Sequence, residues 1–256
     1  MTTGLEQDPQ SLQPPPPPEK PNPWQRIVGV FLSPTETFRS IVRQPDWVVP
    51  LLVIVVMTII GTVLLYTHVD FAAPIRAQLQ EQNPNLSPDQ AERAVRFGMI
   101  FARVIFALTP FISIGSLIVT AAILLVAMRM FGGEGEFKPA FSVTLYSWMP
   151  FVILAVITWA VLLSRGQVPV DQLQSMVRSN FGFLADAKRE PVMFALLVSI
   201  DVFTAWVISL MVIGFAEVSK MTRAKVAAII ITMWVILTLF KVGFASLGAL
   251  MKKARA

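Results

Sequence analysis

Five long apolar stretches, separated by polar connections of unequal length, organise this chain. They cover 48–66, 104–128, 140–163, 191–216 and 226–251, and the first three carry no charged residue. About 20 apolar residues in a helix cross a hydrocarbon core, so each stretch is long enough to span a membrane. Inside lipid the backbone must satisfy its own hydrogen bonds, which makes the stretches helices. No series of ten-residue segments alternates apolar and polar positions, so a β-barrel is excluded. The pattern predicts an all-α, polytopic membrane protein with five transmembrane helices plus short juxtamembrane surface helices.

The connections add detail. Residues 1–23 are polar and proline-rich, with a run from Pro14 to Pro18. Such a segment buries too little apolar surface to offset its ordering entropy, so it reads as a disordered, partly polyproline-II tail. A solvated leader is its plainest role; docking protein partners is its functional one. Residues 24–47 mix apolar positions with Arg26, Arg39 and Arg43. There, Ser33-Pro34-Thr35-Glu36 has the form of a capped helix start, with proline at the first helical position. Two amphipathic helices with a break at Ser33-Pro34 follow, their apolar sides on the membrane surface or against the bundle. A second capping box, Ser87-Pro88-Asp89-Gln90, opens a helix that runs through Arg93, Arg96 and Arg103 into the second span, with a kink at Pro110. The loop 164–190 suggests a short helix near 170–183. Connections 129–139 and 217–225 are short and join antiparallel neighbours. The membrane domain is thus 48–251.

Composition agrees with a membrane domain. Hydrophobic residues make up 55% and charged residues 14%, against roughly 45–50% and about 25% in soluble domains. Mean hydropathy is +0.65. The net charge of +5 is mild and dispersed, which speaks against nucleic acid and for the lipid bilayer as the main partner. With no cysteine and one histidine, disulfides, thiolate chemistry and two-histidine metal sites are excluded. No HExxH or Gly-x-Ser-x-Gly motif occurs, and Gly132-Gly133-Glu134-Gly135 lacks the ending of a phosphate loop. The sequence therefore predicts no catalytic, cofactor-binding or metal-binding residues, and a protein that is not an enzyme.

Two charges stand out. Asp201 and Lys241 each interrupt an apolar stretch, ten residues from its outer end. A charge at mid-membrane costs roughly 2.5–3.5 kcal/mol on insertion scales, so it normally has a partner. Equal depth and opposite sign predict a buried ion pair, with Arg103 the alternative partner for Asp201. Pro150, after Tyr146-Ser147-Trp148, should bend the third span. Trp47, Trp148, Trp159 and Trp206 are candidate headgroup markers.

Several local patterns resemble one family. Phe31-Leu32-Ser33-Pro34-Thr35-Glu36-Thr37-Phe38 is similar to the segment that precedes the first span in the Yip domain family, with Pro34 and Phe38 at the matching places. Asp46 and Pro50 match two positions of that family's Asp-Leu-Tyr-Gly-Pro motif. Gly132-Gly133 resembles its glycine turn, and Tyr146-Ser147 with Pro150 its Gly-Tyr-Ser…Pro stretch, with Leu145 in place of the glycine. The likeness covers about 24–250. It implies five membrane helices and a cytoplasmic N-terminus, and it transfers no catalytic residue; the plasma (inner) membrane is the expected location. Eukaryotic members act in vesicle traffic and bind prenylated GTPases; the missing Tyr-Gly and the longer polar loops set this chain apart from them. Basic residues divide almost evenly between the two sides, so charge alone leaves the orientation open. Two functions are expected in turn: a membrane scaffold or interaction protein, or a small transporter or channel-like protein with a polar site around Asp201 and Lys241.

Overall fold

A computed structural model describes residues 22–254 apart from 171, 172, 174, 175, 187 and 188, with side-chain surroundings given as far as Leu247. The proline run lies outside the described residues. The elements are α1 (Pro23–Leu32), α2 (Pro34–Arg43), α3 (Val48–His68), β1 (Val69–Asp70), α4 (Ala72–Gln82) and α5 (Pro88–Met130). They continue with α6 (Phe137–Ser147), α7 (Met149–Arg165), β2 (Val168–Pro169), α8 (Pro191–Ser199), α9 (Val202–Ser219) and α10 (Arg223–Ala254). Five segments are long and apolar enough to cross a membrane: Val48–His68, Pro88–Met130, Phe137–Arg165, Val202–Ser219 and Arg223–Leu247.

Contacts between the ends of these helices define two faces. One, the near face, gathers α1, α2, the α5–α6 turn and the α9–α10 turn. Arg39 meets Glu217 at 3.5 Å, Arg223 donates to the Thr35 hydroxyl at 2.9 Å, and the Glu134 amide donates to the Ser219 carbonyl at 2.9 Å. The tight α5–α6 turn depends on glycine. Gly132 has φ +87°, and a Cβ on Gly133 would lie 2.9 Å from the Met128 carbonyl oxygen. The far face gathers the other ends. There β1 pairs in parallel with β2, Val69 opposite Val168. The Gln167 amide donates to the Thr67 carbonyl at 3.2 Å.

The main core sits toward the near face. Val30 of α1, Phe38 and Ile41 of α2, Met128 of α5, Tyr146 of α6, Phe215 of α9 and Val226 of α10 form one buried cluster. At its centre lies α6, every residue of which from Ala140 to Ser147 is buried. Its hydroxyls bond within the helix: Ser142 donates to the Lys138 carbonyl and Thr144 to that of Ala140. By contrast, only Pro50 of α3 is buried. Leu51, Val53, Ile54, Leu64 and Leu65 are half-buried against the bundle, while Leu52, Val56, Ile59, Ile60 and Val63 are exposed and left to lipid, which needs no protein partner to cover them.

Several expectations from the sequence change here. The N-terminal helices break at Ser33, and of the two places expected for their apolar sides they take the bundle, since Val30, Phe38 and Ile41 lie in the core. Ser33 precedes α2 without making a side-chain capping bond. The Ser87 box does form: the Gln90 amide donates to the Ser87 hydroxyl at 3.3 Å, and the Ser87 amide to the Gln90 side chain at 3.2 Å. The expected fourth span is two helices, α8 and α9, separated at Ile200-Asp201. The helix expected near 170–183 falls partly outside the described residues; a 3₁₀ turn occupies Phe181–Leu184.

Candidate functional site

The most developed polar arrangement joins three elements at the near face. Arg26, on α1, is 5% exposed. Its guanidinium donates to the Gln44 carbonyl at 2.9 Å, to the Ser40 hydroxyl at 3.3 Å and to the Ser40 carbonyl at 3.5 Å. Asp46 Oδ2 lies 3.9 Å from Arg26 Nη1 and accepts a hydrogen bond from the Tyr146 hydroxyl at 3.1 Å. Carbonyl oxygens, hydroxyl and carboxylate together compensate a cation that burial would otherwise penalise. Arg26 thereby ties α1 to the end of α2, while Asp46 ties the start of the first span to α6. Beside them a pocket of about 540 Å³ opens, with Trp47 and Lys138 on its walls.

Tyr146 is the penultimate residue of α6, just before the helix breaks. Pro150 has no amide hydrogen, so the Tyr146 carbonyl loses its donor from the next turn. The Phe151 amide turns to the Trp148 carbonyl at 3.0 Å instead, and the third span divides into α6 and α7 at Trp148. The Ser147 hydroxyl and the Trp148 indole nitrogen are buried there without a hydrogen-bond partner among the described residues. The family-like positions thus fall into two structural groups. Phe38, Asp46 and Tyr146 converge on the core and its polar cage, Pro34 starts α2, and Pro50 is buried in the first turn of α3. Gly132 and Gly133 make the turn, and Ser147 with Pro150 makes the break.

Asp201 and Lys241 do not join this group. The Asp201 carboxylate caps α9, accepting from the Thr204 amide at 2.8 Å. The Lys241 ammonium donates to the Ser199 hydroxyl at 3.4 Å. The two residues come to the same break between α8 and α9, yet among the described residues no carboxylate–ammonium contact within 4 Å joins them. Arg103, the alternative partner, instead donates to the Tyr66 hydroxyl at 2.6 Å. No direct ion pair within 4 Å forms among the described residues; at the shared break the carboxylate serves as a cap and the ammonium meets a serine, because the helix is interrupted where Asp201 stands. Among the described residues no group of three or more histidines or carboxylates lies close enough to hold a metal ion.

Sequence reading missed Arg26, grouped there with the other juxtamembrane arginines. The signal was weak: a lone arginine among apolar residues, with an acceptor-rich Gln44-Pro45-Asp46 segment eighteen residues on. Three of the tryptophans have packing partners within the bundle. Trp206 packs edge-on to Phe31, Trp159 lies against Gly61, and Trp148 packs on Phe151.

The Yip1 domain family matches residues 28–245 of the chain. No curated protein and no solved structure matches it.

Proposed function

The chain belongs to the Yip1 domain family, and from that premise we propose that it is a non-enzymatic membrane scaffold that holds protein partners at one bilayer face. Five apolar segments make it a multi-pass membrane protein in contact with lipid. The observation that carries the proposal is the insertion of α1 and α2 into the bundle. Arg26, Phe38 and Ile41 fix the segment between the tail and the first span. The point where the tail joins the bundle is thereby fixed, so a partner docked on the tail is recruited to one face of the bundle. The outer side of α1 carries Trp24, Val28 and Leu32 one turn apart, all exposed. That stripe suits the headgroup region.

The near face is the cytoplasmic one in this proposal, and the membrane is the plasma (inner) membrane. The basic α9–α10 turn, with Lys220, Arg223 and Lys225, supports that orientation. The transporter reading has less support, since Asp201 and Lys241 are engaged in a cap and a serine bond.

The test compares the intact chain with a variant lacking 2–21, each cross-linked in native membranes and purified. Partners should co-purify with the intact chain and be lost from the variant; identical profiles would overturn the scaffold role of the tail. Orientation is read separately, in a chain with no native cysteine. An impermeant maleimide added outside intact cells should label Asn85→Cys and spare Lys138→Cys; the reverse pattern would invert the topology.

A further inference from the structure

A second cavity, of about 330 Å³, lies between α3, α5 and the start of α7. Its polar lining is made of hydroxyls and indoles, with no charged residue. Thr58 donates to the Ile54 carbonyl at 2.8 Å and Thr109 to that of Ile105 at 3.0 Å, so these hydroxyls are spent as donors within their own helices. Thr62 and Ser113 line the same cavity, and among the described residues their hydroxyls make no such bond. The indole nitrogen of Trp159 lies over Gly61, 3.1 Å from where a Cβ would stand, and likewise has no acceptor among the described residues. The rest of the wall is apolar.

Depth restricts what can enter. Thr58 lies ten residues from either end of α3, about 15 Å along a helix. The cavity therefore lies at the middle of the span and reaches toward the far face. A donor without an acceptor is costly where no water is available. A phosphate or ammonium headgroup would find no opposite charge here.

We propose that this cavity binds an uncharged lipid through a carbonyl group, with Thr62, Ser113 and Trp159 as donors and the apolar wall around the lipid's hydrocarbon. These donors, with the unpartnered Trp148 indole on the same wall, meet no cation and match a group that only accepts. An apolar pocket with a few convergent polar groups is the usual form of a small-ligand site. Such a carbonyl has two sources, the head of an isoprenoid quinone or the ester of a neutral glycerolipid. The site is separate from the near-face scaffold and does not depend on that role.

The experiment uses the intact protein in detergent micelles. Its melting temperature is followed against a short-tailed benzoquinone, against a short-chain diacylglycerol, and against an alkane of the same length as a carbonyl-free control. The quinone or the diglyceride should raise the melting temperature saturably and the alkane should not; whichever acts identifies the source. Thr62→Val with Ser113→Ala should weaken the apparent Kd for the active lipid about tenfold, from the loss of two neutral hydrogen bonds. If the double variant does not fold, Ser113→Ala alone should weaken binding about threefold. An alkane as effective as the carbonyl lipids, no shift with either, or a folded variant that binds like the parent would each overturn the proposal.

Discussion

The two halves of this bundle are held together differently. At the near face α6 is buried on all sides, and α1, α2, α5, α9 and α10 contribute to one core. Toward the far face, α3 and the first half of α5 leave many of their large apolar side chains exposed, among them Ile60, Val63, Phe97 and Phe101. A small cluster of Val69, Leu162, Val168 and Met176 closes that end. The first half is packed against protein and the second mostly against lipid. All the family-like positions, from Pro34 to Pro150, belong to the first. Their shared task is therefore architectural: they fix the entry of the chain, a turn, a break and a buried charge. The unpartnered hydroxyls lie where packing gives way to lipid, and that is where a ligand can be admitted without dismantling the core.

The sharpest way to break this contrast is to unbalance the near-face cage. Asp46→Ala removes the carboxylate beside buried Arg26 and the acceptor for Tyr146. Breaking a buried pair costs about 3–5 kcal/mol, reduced here toward about 2–3 by the 3.9 Å separation and the partial exposure of Asp46. A melting curve of the purified protein should show the loss. Arg26→Met combined with Asp46→Ala should recover part of it, since no unpaired charge remains. A silent Asp46→Ala would show that the carbonyl oxygens of Ser40 and Gln44 suffice for the cation.

Glycine substitutions measure the same contrast with one added methyl. At Gly214 of α9, a Cβ would run into Val143 and meet Phe38 at 3.0 Å. Gly214→Ala should cost about 1–3 kcal/mol through overpacking. Gly115 of α5 and Gly243 of α10 have nothing within 4 Å of a Cβ. Gly115→Ala and Gly243→Ala should be neutral or stabilise by up to about 1 kcal/mol through helix propensity. Equal losses at all three positions would mean that the outer half is packed as tightly as the inner one.

What the sequence revealed divides along physical lines. The spans were legible because lipid thickness imposes a length that composition displays directly. The Ser87 box was legible because all its parts lie within four residues. The cage was not, because Asp46 and Tyr146 meet across 100 positions of chain and only tertiary packing brings them together. Tryptophan position was equally opaque, since one ring serves a headgroup layer or an interhelical gap. The error at Asp201 came from treating an apolar stretch as one continuous helix. No proline or glycine marks the break; the informative sign was the aspartate itself, a residue that disfavours helix interiors and favours N-caps.

That correction yields the finest prediction. A buried ion pair would make Asp201→Asn damaging, because Lys241 would lose its counter-charge. A cap makes it mild, because asparagine offers the same oxygen to the Thr204 amide. Asp201→Asn should therefore change stability by no more than about 0.5 kcal/mol, whereas Asp201→Ala should cost about 1 kcal/mol. Lys241→Met should also be mild, its one side-chain hydrogen bond among the described residues being the 3.4 Å bond to Ser199. Melting temperatures of the three variants in one detergent separate the two accounts. If Asp201→Asn proves as harmful as Asp201→Ala, the charge matters more than the capping oxygen, and Lys241 becomes the group that answers it. If the order is as expected, the aspartate holds the start of α9 and the lysine is free to be replaced.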